Sequence, residues 1–166
     1  MKTSRLSLSA FPRLFALALL LCLGTGRSLA QEALSSGQTI YLPIYSHLYH
    51  GDLDRSGKPG ETLTSAHISI RNTDSNNNLK VTTARYYDTG GKLLKDYVPA
   101  PRTIPPLGTL ELFVPHTDVS GGSGANFIIA WTADSAINPP LVEALHADIR
   151  ASRSVVFITT GRVLKK

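Results

Sequence analysis

The stretch Thr62-Leu-Thr-Ser-Ala-His-Ile-Ser-Ile-Arg-Asn72 decides the fold class of this chain. From Thr62 to Ile70, every second residue is apolar, small or β-branched, and the residues between them are mostly polar. Successive side chains of a strand point to opposite faces, so this alternation predicts a half-buried β-strand.

Similar stretches recur along the chain and are separated by Gly, Pro, Asn and Asp residues. This short spacing is typical of an all-β fold, and we expect an immunoglobulin-like or fibronectin-like antiparallel β-sandwich of about seven or eight strands. The predicted strands are 40–49, 62–72, 79–88, 93–98, 109–114, 126–132, 142–149 and 154–160. Within the sixth of these strands, Trp131 is expected in the core.

The connections between the predicted strands are of two kinds. Residues 74–78 and 88–92 are rich in Asp, Asn and Gly, which tolerate positive φ, and both segments predict hairpin turns. The segment from Pro99 to Pro106 contains four prolines. Proline cannot donate a backbone hydrogen bond, so this segment favours an extended crossover between sheets.

The N-terminus has the pattern of a secretory signal peptide. Basic residues precede an apolar run from Leu14 to Leu23, and a cleavage-site pattern with small residues follows at Ser28-Leu-Ala30. We expect cleavage of residues 1–30 and export to the periplasm or the extracellular space. The apolar run is only about half as long as a membrane-spanning helix, so no transmembrane helix is expected in the mature chain. The alternative is a lipid anchor at Cys22, although Leu21 precedes it where lipoprotein cleavage prefers a small residue.

Removal of residues 1–30 changes the composition of the chain. The segment contains four basic residues and no acid, so the formal charge falls from +5 to +1, and it also contains the single cysteine. The mature chain therefore lacks disulfide and thiolate chemistry. Its basic residues are not clustered beyond the C-terminal tail, which argues against nucleic-acid binding. We expect a flexible leader at 31–39 and one domain at 40–163.

An aromatic stripe on the first predicted strand is the main candidate for ligand binding. Its outward face would present alternating tyrosines, and such a face can stack on a protein, peptide or carbohydrate ligand. The loop Asp118–Asn126 is expected to add contacts. The predicted ligand-binding residues are Tyr41, Tyr45, His47, Tyr49, His50, Asp52 and Asn126. The alternative is that neighbouring strands or loops cover the tyrosines.

A metal site is the second candidate on the same stretch. His47, His50 and Asp52 could bind zinc or copper, with His116 or His146 brought near by the fold. Residues three apart on a strand point to opposite faces, so convergence requires a bend. The alternative is a hydrogen-bonded turn around Gly51, and no other cofactor is expected.

Hydrolase chemistry is the least favoured class. Gly121-Gly-Ser-Gly-Ala125 approaches a nucleophile elbow, but Ala125 replaces the final glycine and a predicted strand follows. The segment is more typical of a tight loop with positive φ. We therefore expect a protein that is not an enzyme.

Five segments together resemble a family of bacterial exported proteins that is built on a single domain of unknown function. The segments are 40–52, 70–74, 86–93, 121–127 and 138–143. The resemblance implies a single exported domain and supplies neither an activity nor a catalytic residue. The sequence thus predicts a non-enzymatic binding or interaction module, and a periplasmic metal-binding protein is the alternative.

Overall fold

The computed structural model describes residues 33–165, which form twelve β-strands and no helix. The strands are β1 (Ser35–Ile44), β2 (His47–Leu53), β3 (Pro59–Leu63), β4 (Ser65–Arg71), β5 (Leu79–Tyr87), β6 (Leu93–Asp96), β7 (Arg102–Ile104), β8 (Thr109–Val114), β9 (Ala125–Ile137), β10 (Leu141–Ile149), β11 (Ser154–Thr160) and β12 (Arg162–Val163). The predicted signal peptide, its cleavage site and Cys22 lie outside the described residues. Within them, no helix could span a membrane.

The strands form antiparallel sheets. The six-stranded sheet has the order β12-β1-β9-β5-β6, with β7 also paired to β5. The four-stranded sheet has the order β11-β10-β4-β8, and β2 and β3 pair separately with each other. The all-β prediction is therefore confirmed.

The hydrophobic core is one cluster to which both larger sheets contribute. Strand β9 supplies Phe127, Ile129 and Trp131, each at most 1% exposed, and β4 supplies Ile68 and Ile70. Burying a side chain of this size stabilises the fold by about 1.5–3 kcal/mol. The prediction that Trp131 lies in the core is confirmed.

Two of the predicted strands are each divided in two. The predicted alternation from Thr62 to Ile70 is present, but Thr64 interrupts the strand because its N–H donates to the Ser46 carbonyl at 2.9 Å. The predicted strand 40–49 is interrupted where the Ser46 N–H donates to the Gly122 carbonyl at 3.0 Å. At both breaks, the backbone leaves its strand partner and hydrogen-bonds a residue of another connection. These breaks help to raise the number of strands above the expected seven or eight.

One of the two predicted hairpins is confirmed. At residues 88–92, the Asp88 N–H donates to the Lys92 carbonyl at 3.0 Å, and Gly91 has a φ of 81°. The predicted hairpin at 74–78 is wrong, because β4 and β5 lie in different sheets. No residue of that turn has positive φ, and the turn carries the chain from one sheet to the other.

The chain enters its first strand earlier than predicted. Strand β1 begins at Ser35, inside the expected leader 31–39, because Gln38 and Thr39 pair with Trp131 and Ala130 of β9. A Cβ at Gly37 would lie 2.9 Å from the Trp131 carbonyl oxygen, so the close pairing there requires glycine. Within the proline-rich segment, β7 is short and pairs with β5 alone.

Candidate functional site

The two segments predicted to bind a ligand meet at one end of the sheets. Strand β1 ends at Ile44 opposite Ala125, the first residue of β9. Just beyond this pair, the hydrogen bond from Ser46 to Gly122 joins the β1–β2 junction to the loop 118–126. Gly122 has a φ of 76°, which confirms the predicted positive φ in this loop. A Cβ at Gly121 would overlap the Tyr86 hydroxyl, so this loop packs directly on the core.

The predicted aromatic stripe is only partly open to solvent. Tyr41 and Tyr45 are half-buried, and Tyr49 is 56% exposed. The Tyr45 ring packs edge-on against His146 and Phe157, with centroid separations of 5.9 and 5.8 Å. Tyr45 is therefore a packing residue, and Tyr49 is the tyrosine of this stripe that a ligand can reach. Asn126 is half-buried on β9, opposite Pro43.

The predicted metal ligands lie on the β2–β3 hairpin but do not converge. The His47 ring packs edge-on against Tyr49 at 4.8 Å, and His50 Nε2 hydrogen-bonds Thr62 Oγ1 at 2.9 Å. The regular alternation of β2 places His47 and His50 on opposite faces, and Asp52 is exposed beyond Gly51. Across residues 33–165, no three His, Cys, Asp or Glu side chains are placed to share a metal ion.

A buried carboxylate at the same end was not predicted as a site residue. Val142, Ala144, His146 and Asp148 alternate along the inward face of β10, and each is at most 4% exposed. Asp148 Oδ1 accepts a hydrogen bond from Arg150 Nε at 2.9 Å and lies 3.5 Å from His116 Nε2. We refer to Asp148, Arg150 and His116 as the Asp148 cluster.

The pairing of three distant strands assembles the Asp148 cluster. Ala147 of β10 pairs with Ser65 of β4, and the next residue of β4, Ala66, pairs with Val114 at the end of β8. His116 follows Val114 by two residues and so lies beside Asp148. The cluster is a product of tertiary structure, because His116 and Asp148 lie on different strand connections and only the pairing of β4 with β8 and β10 brings them together.

The charges around Asp148 favour its ionised form. The hydrogen bond from Arg150 lowers the pKa of Asp148, and the positive charges of Arg150, His116 and Arg153 act in the same direction against the effect of burial. Among the described residues, Asp148 Oδ2 and His116 Nε2 have no hydrogen-bond partner. The cluster therefore holds a buried negative charge whose hydrogen-bonding capacity is only partly used.

His146 lies next to Asp148 on the inward face of β10. It is fully buried, its Nε2 accepts a hydrogen bond from the Tyr45 N–H at 3.1 Å, and its ring stacks on Phe157 at 4.5 Å. Burial lowers the pKa of His146 to about 4. His146 is therefore neutral at pH 7 and serves as a packing residue and hydrogen-bond acceptor.

A pocket of about 420 Å³ opens beside the Asp148 cluster. It is lined by Ser65, His116, Ala147, Asp148, Ile149 and Arg150. The Arg150 side chain is 52% exposed, and Arg153 is also exposed on the turn between β10 and β11. A larger pocket of about 700 Å³ borders β1 and β9, but Lys165 is its single ionisable lining residue.

The hairpin β2–β3 is held beside this pocket through Thr62. Arg153 NH2 donates to Thr62 Oγ1 at 2.8 Å, and the same oxygen hydrogen-bonds His50. The Arg150 N–H donates to the Arg153 carbonyl at 3.0 Å and closes the β10–β11 turn. Two guanidinium groups therefore lie at this end of the fold, and each has N–H donors beyond those used in these contacts.

A second group of buried polar residues lies at the opposite end of β4. Asn72 Nδ2 donates to the carbonyls of Asn77 and Pro105 at 2.8 and 3.0 Å. Asp74 Oδ1 accepts the N–H groups of Asn76 and Asn77, both at 2.9 Å, and its Oδ2 accepts the Asn138 N–H at 3.3 Å. We refer to Asn72, Asp74 and these partners as the Asp74 cluster. It ties three connections of the fold together.

Comparison with known proteins identifies a family without an assigned activity. Residues 37–164 match the family described as "Protein of unknown function (DUF3124)". No curated protein matches the sequence. Among solved structures, the crystal structure of Thermotoga maritima 1070 is similar, with 13% sequence identity and a TM-score of 0.42, over 75% of this chain and 92% of that chain.

Proposed function

We propose that this chain, which belongs to the DUF3124 family of proteins of unknown function, is an exported, non-enzymatic binding module. The proposed ligand is a peptide or carbohydrate with an anionic group. One observation carries the proposal: Asp148, 4% exposed, holds the half-exposed Arg150 at the wall of a pocket of about 420 Å³. A buried carboxylate with a shifted pKa at a pocket is a frequent mark of a functional site.

The chemistry of Arg150 favours an anion. Its contact with Asp148 uses Nε, and a guanidinium has five N–H donors in a planar fork that matches a carboxylate or phosphate group. Arg153 adds a second positive charge at the same end. Arg150 and Arg153 together carry more positive charge at this end than Asp148 neutralises, so the pocket favours an anion.

The hairpin supplies the remaining predicted contacts. Tyr49 is exposed and offers an aromatic face to a sugar ring or a peptide side chain, and His50 and Asp52 are exposed beside it. Tyr41, Tyr45 and Asn126 are half-buried, so a ligand would contact a smaller part of each of these side chains. His47 fixes the orientation of Tyr49 through its ring contact.

The non-enzymatic character of the module rests on the roles of its histidines. His146 accepts a hydrogen bond from the Tyr45 backbone, so its Nε2 is occupied by a structural partner. His116 faces a carboxylate that Arg150 also contacts. Neither contact reaches a hydroxyl nucleophile of the kind that a Ser-His hydrolase requires. His50 does hydrogen-bond the Thr62 hydroxyl, but Thr62 is only 3% exposed.

Export and the finer fold belong to the same proposal. The basic and apolar pattern of residues 1–30 supports cleavage and release to the periplasm or the extracellular space. The joint core of the two larger sheets supports an immunoglobulin-like or fibronectin-like β-sandwich. Mass spectrometry of the exported protein tests cleavage: a mature N-terminus at Gln31 is expected, and a lipidated Cys22 would contradict it.

Binding to acidic polymers tests the function. We expect the protein to bind poly-glutamate or polygalacturonate in isothermal titration calorimetry, and to bind poly-glutamine and dextran far more weakly. Arg150→Met should weaken binding by at least about tenfold, because a charged hydrogen bond contributes about 1.5–3 kcal/mol.

Arg85→Met is the matched control for Arg150→Met. Arg85 also contacts an aspartate through Nε and is 50% exposed, but it lies away from the pocket on β5. Its substitution should leave affinity unchanged. Equal affinity for acidic and neutral polymers, or unchanged binding in Arg150→Met, would contradict the proposal.

A further inference from the structure

The solvent side of the four-stranded sheet carries an unusual number of apolar side chains. Six large apolar residues there are between 40% and 75% exposed: Phe113, Leu141, Leu145, Ile149, Val156 and Ile158. We refer to these six residues as the outer face. An antiparallel sheet that meets water on one side normally carries polar residues on that side.

The strand register makes part of the outer face continuous. Ile158 of β11 lies opposite Leu145 of β10, which lies opposite His67 of β4, which lies opposite Phe113 of β8. His67, whose Nε2 lies 3.3 Å from Glu111 Oε1, interrupts this row, so Phe113 on β8 is separated from Leu145, Ile158 and the adjacent Val156 on β10 and β11. Contiguous apolar surface of this kind marks protein–protein contacts in soluble proteins.

We propose that the outer face packs against the outer face of a second copy of this chain and forms a two-fold symmetric dimer. Sheets pack face to face with their strands within about 30° of each other, and this arrangement covers an apolar sheet surface completely. A two-fold interface uses the same patch on both subunits. The proposal does not rest on the ligand proposed for the Asp148 cluster, although Ile149 belongs to the outer face and also lines the pocket beside that cluster.

The charges that flank the apolar row support this occupant and select its orientation. A two-fold axis parallel to the strands places β10 over the partner's β4 and β11 over the partner's β8. Ile158 then meets the partner's Phe113, Leu145 meets the partner's His67, and Glu143 lies over the partner's Ser69, one position along the same face from the partner's Arg71. An axis perpendicular to the strands would instead place Glu143 over the partner's Ala147 and bury a carboxylate on apolar surface, which is costly.

The size of the face is consistent with a dimer of moderate affinity. Four strands spaced about 4.8 Å apart and about seven residues long cover roughly 19 by 23 Å. Two such faces bury on the order of 1,000 Å² in total, which is the lower limit for a specific interface. We therefore expect a dissociation constant in the micromolar range.

Sedimentation equilibrium of the purified protein, from about 1 to 200 μM, tests the dimer. We expect a reversible monomer–dimer equilibrium, and we expect Ile158→Glu to weaken dimerisation by at least about a hundredfold. Leu93→Glu is the matched control, because Leu93 is 47% exposed on β6 of the other sheet. It should leave the equilibrium unchanged, and circular dichroism should report native secondary structure for both variants.

Charge exchange provides a second test at exposed or half-buried positions that tolerate substitution. Glu143→Arg and Arg71→Glu should each weaken the dimer by about tenfold, and the double variant should restore it. A wild-type protein that is monomeric at about 200 μM would overturn the proposal. Retention of the dimer in Ile158→Glu, or failure of the double variant to recover, would overturn it as well.

Discussion

Asp74 and Asp148 are two similarly buried carboxylates, 7% and 4% exposed, at opposite ends of the paired strands β4 and β10. Backbone and side-chain N–H groups of the turn 74–78 and of Asn138 engage both oxygens of Asp74. Asp148 instead faces a guanidinium and an imidazole, and its Oδ2 has no partner within residues 33–165. A carboxylate with both oxygens hydrogen-bonded to nearby N–H groups is structural, whereas one that faces side-chain cations at a pocket and has a free oxygen is typical of a functional site.

The same isosteric substitution in both clusters should have unequal effects. Asp74→Asn replaces an acceptor by an NH₂ group that faces backbone donors, so we expect the Tm to fall by about 10 °C. Asp148→Asn keeps an acceptor for Arg150 and should lower the Tm by less than about 4 °C. Differential scanning calorimetry at pH 7 measures both, and equal losses would remove the distinction between the two ends.

Acid should destabilise the protein through His146. The unfolded chain binds the proton at a pKa of about 6.5, and the buried ring resists it until about 4. Stability is therefore complete above pH 6.5 and falls between pH 6.5 and 4, by about 3 kcal/mol in total. Guanidinium unfolding at pH 7, 5.5 and 4 measures the loss.

The matched variants for this pH dependence are His146→Gln and His50→Gln. His146→Gln removes the buried imidazole and should flatten stability between pH 6.5 and 4. His50 is exposed, so His50→Gln should keep the wild-type dependence of stability on pH. A slope that survives in His146→Gln would assign the acid sensitivity to another group.

Tyr45 and Tyr49 should differ in how much they contribute to the free energy of unfolding. Tyr45→Ala removes a ring that packs on His146 and Phe157, so we expect a loss of about 2 kcal/mol in the free energy of unfolding. Tyr49→Ala should change it by less than about 0.5 kcal/mol, because the ring is largely exposed. Urea unfolding distinguishes them, and a larger loss for Tyr49 would place the packing in the hairpin.

The two arginine–aspartate pairs give the smallest expected difference. Arg150→Met leaves the buried Asp148 charge uncompensated and should lower the Tm by about 4 °C. Arg85→Met should lower it by no more than about 2 °C, because Asp96 is 25% exposed and surface pairs contribute little. If the Tm falls equally in both variants, the burial of Asp148 does not increase the contribution of Arg150 to stability.

Local sequence pattern was sufficient for much of the fold. Strands β8 and β11 have the predicted bounds, 109–114 and 154–160, because their alternation is uninterrupted and turn residues flank them. The expected family built on a single domain of unknown function is also confirmed. The breaks at Ser46 and Thr64 were missed. Ser46 hydrogen-bonds Gly122, which is distant in sequence, and Thr64 hydrogen-bonds Ser46 instead of continuing the strand pairing.

The candidate site was less accessible to sequence reasoning. The predicted residues of the hairpin do lie near the pocket, but the Asp148 cluster combines residues from β10 and from the segment after β8, which only the pairing through β4 brings together. One local signal was present: the alternation of residues 142–148 places an aspartate at the end of an otherwise buried face. A buried acid of this kind rarely lacks a partner, so it indicates a distant cation.

Strand β12 has a practical consequence for handling the protein. It pairs with β1 at Ile40 and Tyr41, and the Leu164 N–H donates to the Thr39 carbonyl at 2.8 Å, so both termini of the described chain run toward the Asp74 cluster. A linker attached at either end of residues 33–165 therefore starts on the side opposite the pocket. Immobilised protein presents the Asp148 cluster to solution, which makes either attachment suitable for measuring ligand capture on a sensor chip.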